Sequence, residues 1–208
     1  MLRAALLSGL AFSLLLLSPV QGEPPTVVRV QEDWELVVGD ASAQREAPQV
    51  VTVLSPFTSD AGVYGLFELN HQSLPSYQQG GMQLQVWSGE ELLGFKDNSR
   101  TDLLGQQGEV VTWTQEMSVA NGNPLRFRIL DGQSSTWGEF APEGTLYLNT
   151  GIALDNLNGY SPDFSVGRSG VSFGANRVQS LVLKRVRLYS SEGLIAEDET
   201  ARPVALDE

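Results

Sequence analysis

From Pro25 onward helical periodicity is almost absent from the chain, and this constrains the fold more than any other feature. Short runs rich in Val, Leu, Thr, Phe, Tyr and Trp are cut by 21 glycines and 10 prolines, the pattern of strands and turns. Met82 to Ser88 alternates most clearly: Met82, Leu84 and Val86 face one way, Gln83, Gln85 and Trp87 the other. Similar runs predict strands at Val27–Val30, Trp34–Val38, Val50–Leu54, Val63–Asn70 and Leu92–Phe95. Further strands are predicted at Glu109–Met117, Leu125–Asp131, Thr136–Phe140, Thr145–Asn149 and Val178–Tyr189. Turn signals at Asn121-Gly122 and Asp131-Gly132 join three of these runs into an antiparallel meander. Ile152 to Gly174 reads as irregular, and Trp34, Trp113 and Trp137 read as core. About eleven short strands with regular turns predict an all-β fold, an antiparallel two-sheet, jelly-roll-like β-sandwich.

The two ends read differently from the middle. Arg3 gives a short positive start, Ala4 to Leu17 is apolar, and Val20 and Gly22 suit the small-residue positions before a signal-peptidase cut. Residues 1–22 are therefore expected to be a secretory signal peptide, with the mature protein secreted or periplasmic. The competing reading, a membrane anchor, is disfavoured because the apolar run is shorter than the ~20 residues of a spanning helix. No later segment is apolar for long enough to span a bilayer, so no membrane insertion is expected after signal cleavage. Residues 23–190 form the predicted sandwich domain, and residues 191–208, with six acidic residues and one Arg, read as a flexible acidic tail. Its Glu197-Asp198-Glu199 run reads as solvated charge.

Without the leader the chain carries 12 basic and 25 acidic residues, so nucleic acid is a poor partner. It has no cysteine, which removes disulfides, thiol chemistry, Cys-ligated zinc and iron–sulfur sites. An exported domain of this kind must be held by its core alone.

A family resemblance rests on the second half of the chain. Thr112 to Phe140 reads as a strand, a turn and the strand Leu125–Leu130, followed by Asp131-Gly132-Gln133-Ser134-Ser135-Thr136-Trp137-Gly138. The final strand reads Leu183-Lys184-Arg185-Val186-Arg187-Leu188-Tyr189. This pattern resembles the closing half of concanavalin A-like domains, the superfamily of lectins, laminin-G-like modules and glucanases. The resemblance covers roughly the last 80 residues and carries no diagnostic motif. It implies a curved two-sheet jelly roll with a concave face able to hold saccharide, and it transfers no functional residues.

The polar strand faces are the candidate ligand surface. Gln83, Gln85 and Trp87 share one face of their strand; Thr112, Thr114 and Glu116 share another; Arg126 and Arg128 share a third, and Glu68 and Asn70 are placed to extend them. If these strands neighbour one another, amides, hydroxyls, charges and one indole converge into a groove suited to sugar. The competing reading is a solvated sheet with cross-strand Glu–Arg pairs. Asp155, Asn156, Asn158 and Asp163 offer hard oxygen ligands to calcium, though Asx residues serve equally well in turns. A glycoside hydrolase needs two carboxylates flanking the bond; Glu116 with Glu68, or Glu139, are the candidates, but no strand carries an E-x-D-x-E cluster. Gly170-Val171-Ser172-Phe173-Gly174 fits G-x-S-x-G without the helix that motif requires, and the single histidine, His71, precedes the serine. The expected function is an exported noncatalytic module binding carbohydrate or another envelope component. The alternatives are a structural or protein-interaction domain and a carbohydrate-active hydrolase.

Overall fold

The computed structural model describes residues 24–40, 48–57, 62–70, 81–98, 104–119 and 124–206. The predicted signal segment 1–22, His71 and the Asn121-Gly122 turn lie outside the described residues. The described chain folds into two antiparallel sheets packed face to face. Its strands are β1 (Arg29–Val38), β2 (Gln49–Leu54), β3 (Val63–Leu69), β4 (Met82–Ser88), β5 (Glu91–Asn98), β6 (Val110–Ser118) and β7 (Arg126–Ser134). There follow β8 (Gly138–Phe140), β9 (Leu146–Asn149), helix α1 (Pro162–Arg168), β10 (Gly170–Phe173), β11 (Val178–Ser190), β12 (Gly193–Asp198) and β13 (Arg202–Pro203). The larger sheet has eight strands in the order β12-β11-β1-β6-β7-β8, with β13 also on β11 and β9 also on β7. The smaller has five, in the order β10-β2-β3-β4-β5.

Alternation explains most of this. In β1, Val30, Trp34, Leu36 and Val38 are buried while Arg29, Gln31, Asp33 and Glu35 are only partly so. In β3, Val63, Phe67 and Leu69 go in while Tyr64, Leu66 and Glu68 stay out. The two sheets meet on an aromatic cluster. Trp34 stacks on Trp113 at 6.5 Å between ring centroids, and Phe67 from the smaller sheet meets the edge of Trp113 at 5.7 Å. Such pairs add about 0.5–1.5 kcal/mol each beyond the area they bury. Trp34 and Trp113 are buried as expected; Trp137 is half-buried and packs at the rim against Phe140, at 4.8 Å.

Four expectations are corrected. The predicted strands Val27–Val30 and Trp34–Val38 are one strand, because the polar trio Gln31-Glu32-Asp33 passes through the sheet instead of breaking it. Asp131-Gly132 is a bulge, not a turn: Thr112 pairs Gln133 but Thr114 pairs Leu130, so β7 holds one extra residue, with Asp131 left-handed at φ 50°. The stretch 152–174 is not wholly irregular, since it contains α1 and the edge strand β10. The segment 191–208 is not a loose tail over its described part: β12 pairs with β11 from Val186 to Ser190, and β13 pairs at Val182 and Leu183.

Candidate functional site

The predicted groove is divided by the sandwich itself. Gln83, Gln85 and Trp87 stand on β4 in the five-stranded sheet, whereas Thr112, Thr114, Glu116, Arg126 and Arg128 stand on β6 and β7 in the eight-stranded sheet. Each set alternates with core residues of its own strand, Leu84 and Val86 in one case, Trp113, Met117 and Phe127 in the other. The two sets therefore occupy opposite outer faces and cannot share a ligand. For the same reason Glu116 and Glu68 cannot flank one glycosidic bond.

The outer face of the five-stranded sheet combines aromatic and amide groups. Strand register aligns Gly170, Val51, Glu68, Gln83 and Asp97 in one row, Leu66, Gln85 and Phe95 in the next, and Tyr64 with Trp87 beyond. A directional chain of hydrogen bonds runs along β4. The Trp87 indole Nε1 donates to Gln85 Oε1 at 2.7 Å, Gln85 Nε2 donates to Gln83 Oε1, and Gln83 Nε2 donates to Asp97 Oδ1. Gln85 Nε2 also approaches Glu68 Oε2 at 3.4 Å. Each link polarises the next, and the chain ends on a carboxylate, so the amides are held in one orientation. Gln83 and Gln85 are 8% exposed, so these are pinned groups and not the wet face expected from alternation. Beside them Phe95 is 56% exposed, and Trp87 and Tyr64 are half-buried.

A groove of about 870 Å³ adjoins this platform, with Val51, Leu66 and Glu68 among its lining residues and α1, β10 and the 201–205 segment along its walls. Arg168 at the end of α1 holds its guanidinium 5.0 Å from the Tyr64 ring centroid, joining the groove wall to the aromatic row. Tyr64 and Phe95 were readable in principle, because alternation puts Tyr64 beside Leu66 and Glu68. What was missing was the pairing that sets them next to Trp87.

On the opposite face most polar side chains are consumed by one another. Arg128 donates to Glu116 through Nε at 2.7 Å, and Gln31 Nε2 donates to the other Glu116 oxygen at 2.7 Å. Asp33 accepts from Arg185, Arg187 and Thr114 at 2.6–2.7 Å. These are the cross-strand pairs of a structural sheet face.

The site residue that alternation missed is Glu32. It points inward from β1 and is fully buried between the sheets. The Tyr160 hydroxyl donates to it at 2.7 Å, the Trp34 indole at 3.0 Å, and Gln115 Nε2 also donates to it. Thr52 of the smaller sheet donates to Gln115 at 2.9 Å, so the network crosses from one sheet to the other. Desolvation pushes the Glu32 carboxyl above its ordinary range, and these donors, with the nearby Ser165 hydroxyl, pull it part of the way back. Burial and the adjacent Glu32 charge hold the Tyr160 hydroxyl above the usual phenol range.

Three of the four residues of the expected calcium set have other partners. Asn156 Oδ1 accepts from the Asn158 amide at 3.0 Å, Asn158 Oδ1 accepts from Val27 N at 2.8 Å, and Asp163 pairs with Arg202 at 3.1 Å. Among the described residues no three His, Cys, Asp or Glu side chains gather to hold a metal. Ser172 of the G-x-S-x-G match lies in edge strand β10, which is followed by a short 3-10 turn at Ala175–Arg177 and not by a nucleophile-elbow helix. Among the described residues no helix is long and apolar enough to cross a membrane.

The fold and faces define a two-sheet antiparallel β-sandwich with one aromatic–amide outer face. The chain matches no family model, no curated protein and no solved structure.

Proposed function

We propose that this protein is an exported, noncatalytic binding module that takes carbohydrate on the outer face of its five-stranded sheet. The observation that carries this reading is the half-buried Trp87, fixed through Nε1 to the hydrogen-bonded ladder Gln85–Gln83–Asp97 and lying beside Tyr64. A sugar has C–H faces that stack on aromatic rings and hydroxyls that need donors and acceptors held in place. This surface supplies both, next to a groove of about 870 Å³. Export rests on the leader-like residues 1–22. The concanavalin A-like reading, and with it a jelly-roll path, draws support from the two antiparallel sheets and the long strand β11 near the C-terminal end.

The test is retention of the mature chain on a glycan array and in affinity electrophoresis against soluble polysaccharides. Trp87→Ala is expected to weaken retention roughly tenfold or more, the scale of about 1.4 kcal/mol, with circular dichroism unchanged. A wild-type chain that binds no glycan, or a Trp87→Ala chain that binds as well as wild type, sinks the reading.

A further inference from the structure

The eight-stranded sheet leaves two arginines without the partners its other arginines have. Register places Tyr189, Arg29, Ser118, Arg126 and Asn149 side by side in one row of the outer face. In the adjoining rows Arg128, Arg185 and Arg187 each meet a carboxylate at 2.7 Å. Arg29 and Arg126 meet none among the described residues, and the Nε of each is buried without a hydrogen-bond partner. Both guanidinium groups are instead held on aromatic rings, Arg29 at 3.8 Å from the Tyr189 ring centroid and Arg126 at 4.7 Å from that of Tyr147.

This is an unusual choice for a chain with 25 acidic and 13 basic residues, in which acids are plentiful. A buried donor without an acceptor costs about 1–3 kcal/mol, and stacking fixes a guanidinium's plane while leaving its N–H edge free. Arg29 and Ser118 also line a pocket of about 400 Å³ closed on one side by the turn at 190–193. Arg126 lies outside this pocket: its guanidinium sits on the Tyr147 ring of β9, on the side of β7 away from Ser118. Glu116 in the same pocket is already neutralised by Arg128. Glu192 on the turn is the carboxylate that opposes an incoming anion.

We propose that Arg29 and Ser118 form an oxyanion-binding site in this pocket that takes the carboxylate or sulfate group of an acidic ligand. The Arg29 guanidinium edge supplies charge-assisted donors and Ser118 a hydroxyl, the chemistry that recognises a planar or tetrahedral oxyanion. The site is independent of the Trp87 face and lies on the opposite side of the sandwich.

Calorimetry on the full mature chain at fixed ionic strength tests it, with sodium sulfate and sodium galacturonate as free anions and dextran sulfate and polygalacturonate as polymers. Wild type is expected to bind at least one of these probes; binding confined to the free anions identifies a small-ion site, and binding to the polymers a polysaccharide site. Arg29→Gln should weaken binding tenfold or more, while Arg126→Gln, outside the pocket, should change it less than twofold. Arg185→Gln, on the same face but paired, should change it less than twofold, and Trp87→Ala should leave it intact. Glu192→Gln should tighten it about twofold, a gain that misfolding cannot produce. Absence of binding to all four probes, an Arg29→Gln variant that binds like wild type, or equal losses in Arg185→Gln or Arg126→Gln would overturn the site.

Discussion

Glu32 shows how one inward-facing carboxylate shapes the interior. Its donors come from β6, from the 150–161 loop and from its own strand, and Gln115 passes the contact on to Thr52. Replacing it with an apolar residue strands the Tyr160, Trp34 and Gln115 donors in the core. Glu32→Leu should therefore destabilise the fold by about 3 kcal/mol or more, measured by urea unfolding. Glu32→Gln keeps an acceptor and should cost much less. The pH dependence separates the two effects. The folded protein raises the Glu32 pKa above its ordinary 4.5, so it binds the proton more tightly than the unfolded chain does. The stability this contributes is full below that ordinary value and is lost as pH rises through the raised one. Relative to wild type, Glu32→Gln should gain stability as pH rises above 4.5; a difference constant with pH would show that the fold does not raise the Glu32 pKa.

Among the elements, the C-terminal segment departs furthest from what composition predicts. Its acidity reads as solvation, yet Glu197 meets Arg185 at 3.2 Å and Asp198 meets Arg202 at 2.7 Å, so the charges knit β12 and β13 onto β11. The Thr200 hydroxyl and amide, with Arg202, hold the Asp198 carboxyl down to about 2. Two apolar residues in the same stretch complete the attachment: Val204 is 7% exposed with its amide donating to Leu181 O at 2.9 Å, and Leu206 packs against the core. Val204→Ala should cost about 2 kcal/mol in a thermal or denaturant melt. A loose tail would register no change. Asp131 makes a similar point, because an Asp-Gly pair serves a bulge as well as a turn and only the partner strand decides between them.

The molecule as a whole depends on close approach between its two sheets. Gly65 of β3 faces the Phe127 ring of β7 so tightly that an added Cβ would lie 2.6 Å from it. Gly65→Ala should lower stability by about 1–3 kcal/mol through overpacking, seen as a lower melting temperature, while glycan and anion binding keep their wild-type affinities when measured below the melt. Both proposed ligand surfaces lie on outer faces, so the interior sets their geometry without lining either one. The −12 net charge of the full chain makes the Arg29–Arg126 row a local exception to the overall field.

Period-two alternation and turn residues were sufficient to determine the all-β class, most strand positions, and the membership of Gln83, Gln85 and Trp87 in one face. They were sufficient because alternation is a local property: neighbours along a strand must point opposite ways whatever the strand packs against. Which strands lie together is not local. Sheet membership put Trp87 beside Tyr64 and on the far side of the molecule from Arg126, and it turned most of the charged residues of β6, β7 and β11 into mutual pairs. The same long-range pairing buried Glu32 and docked the acidic end of the chain, because polar groups enter a core or a sheet edge only where distant segments supply their partners.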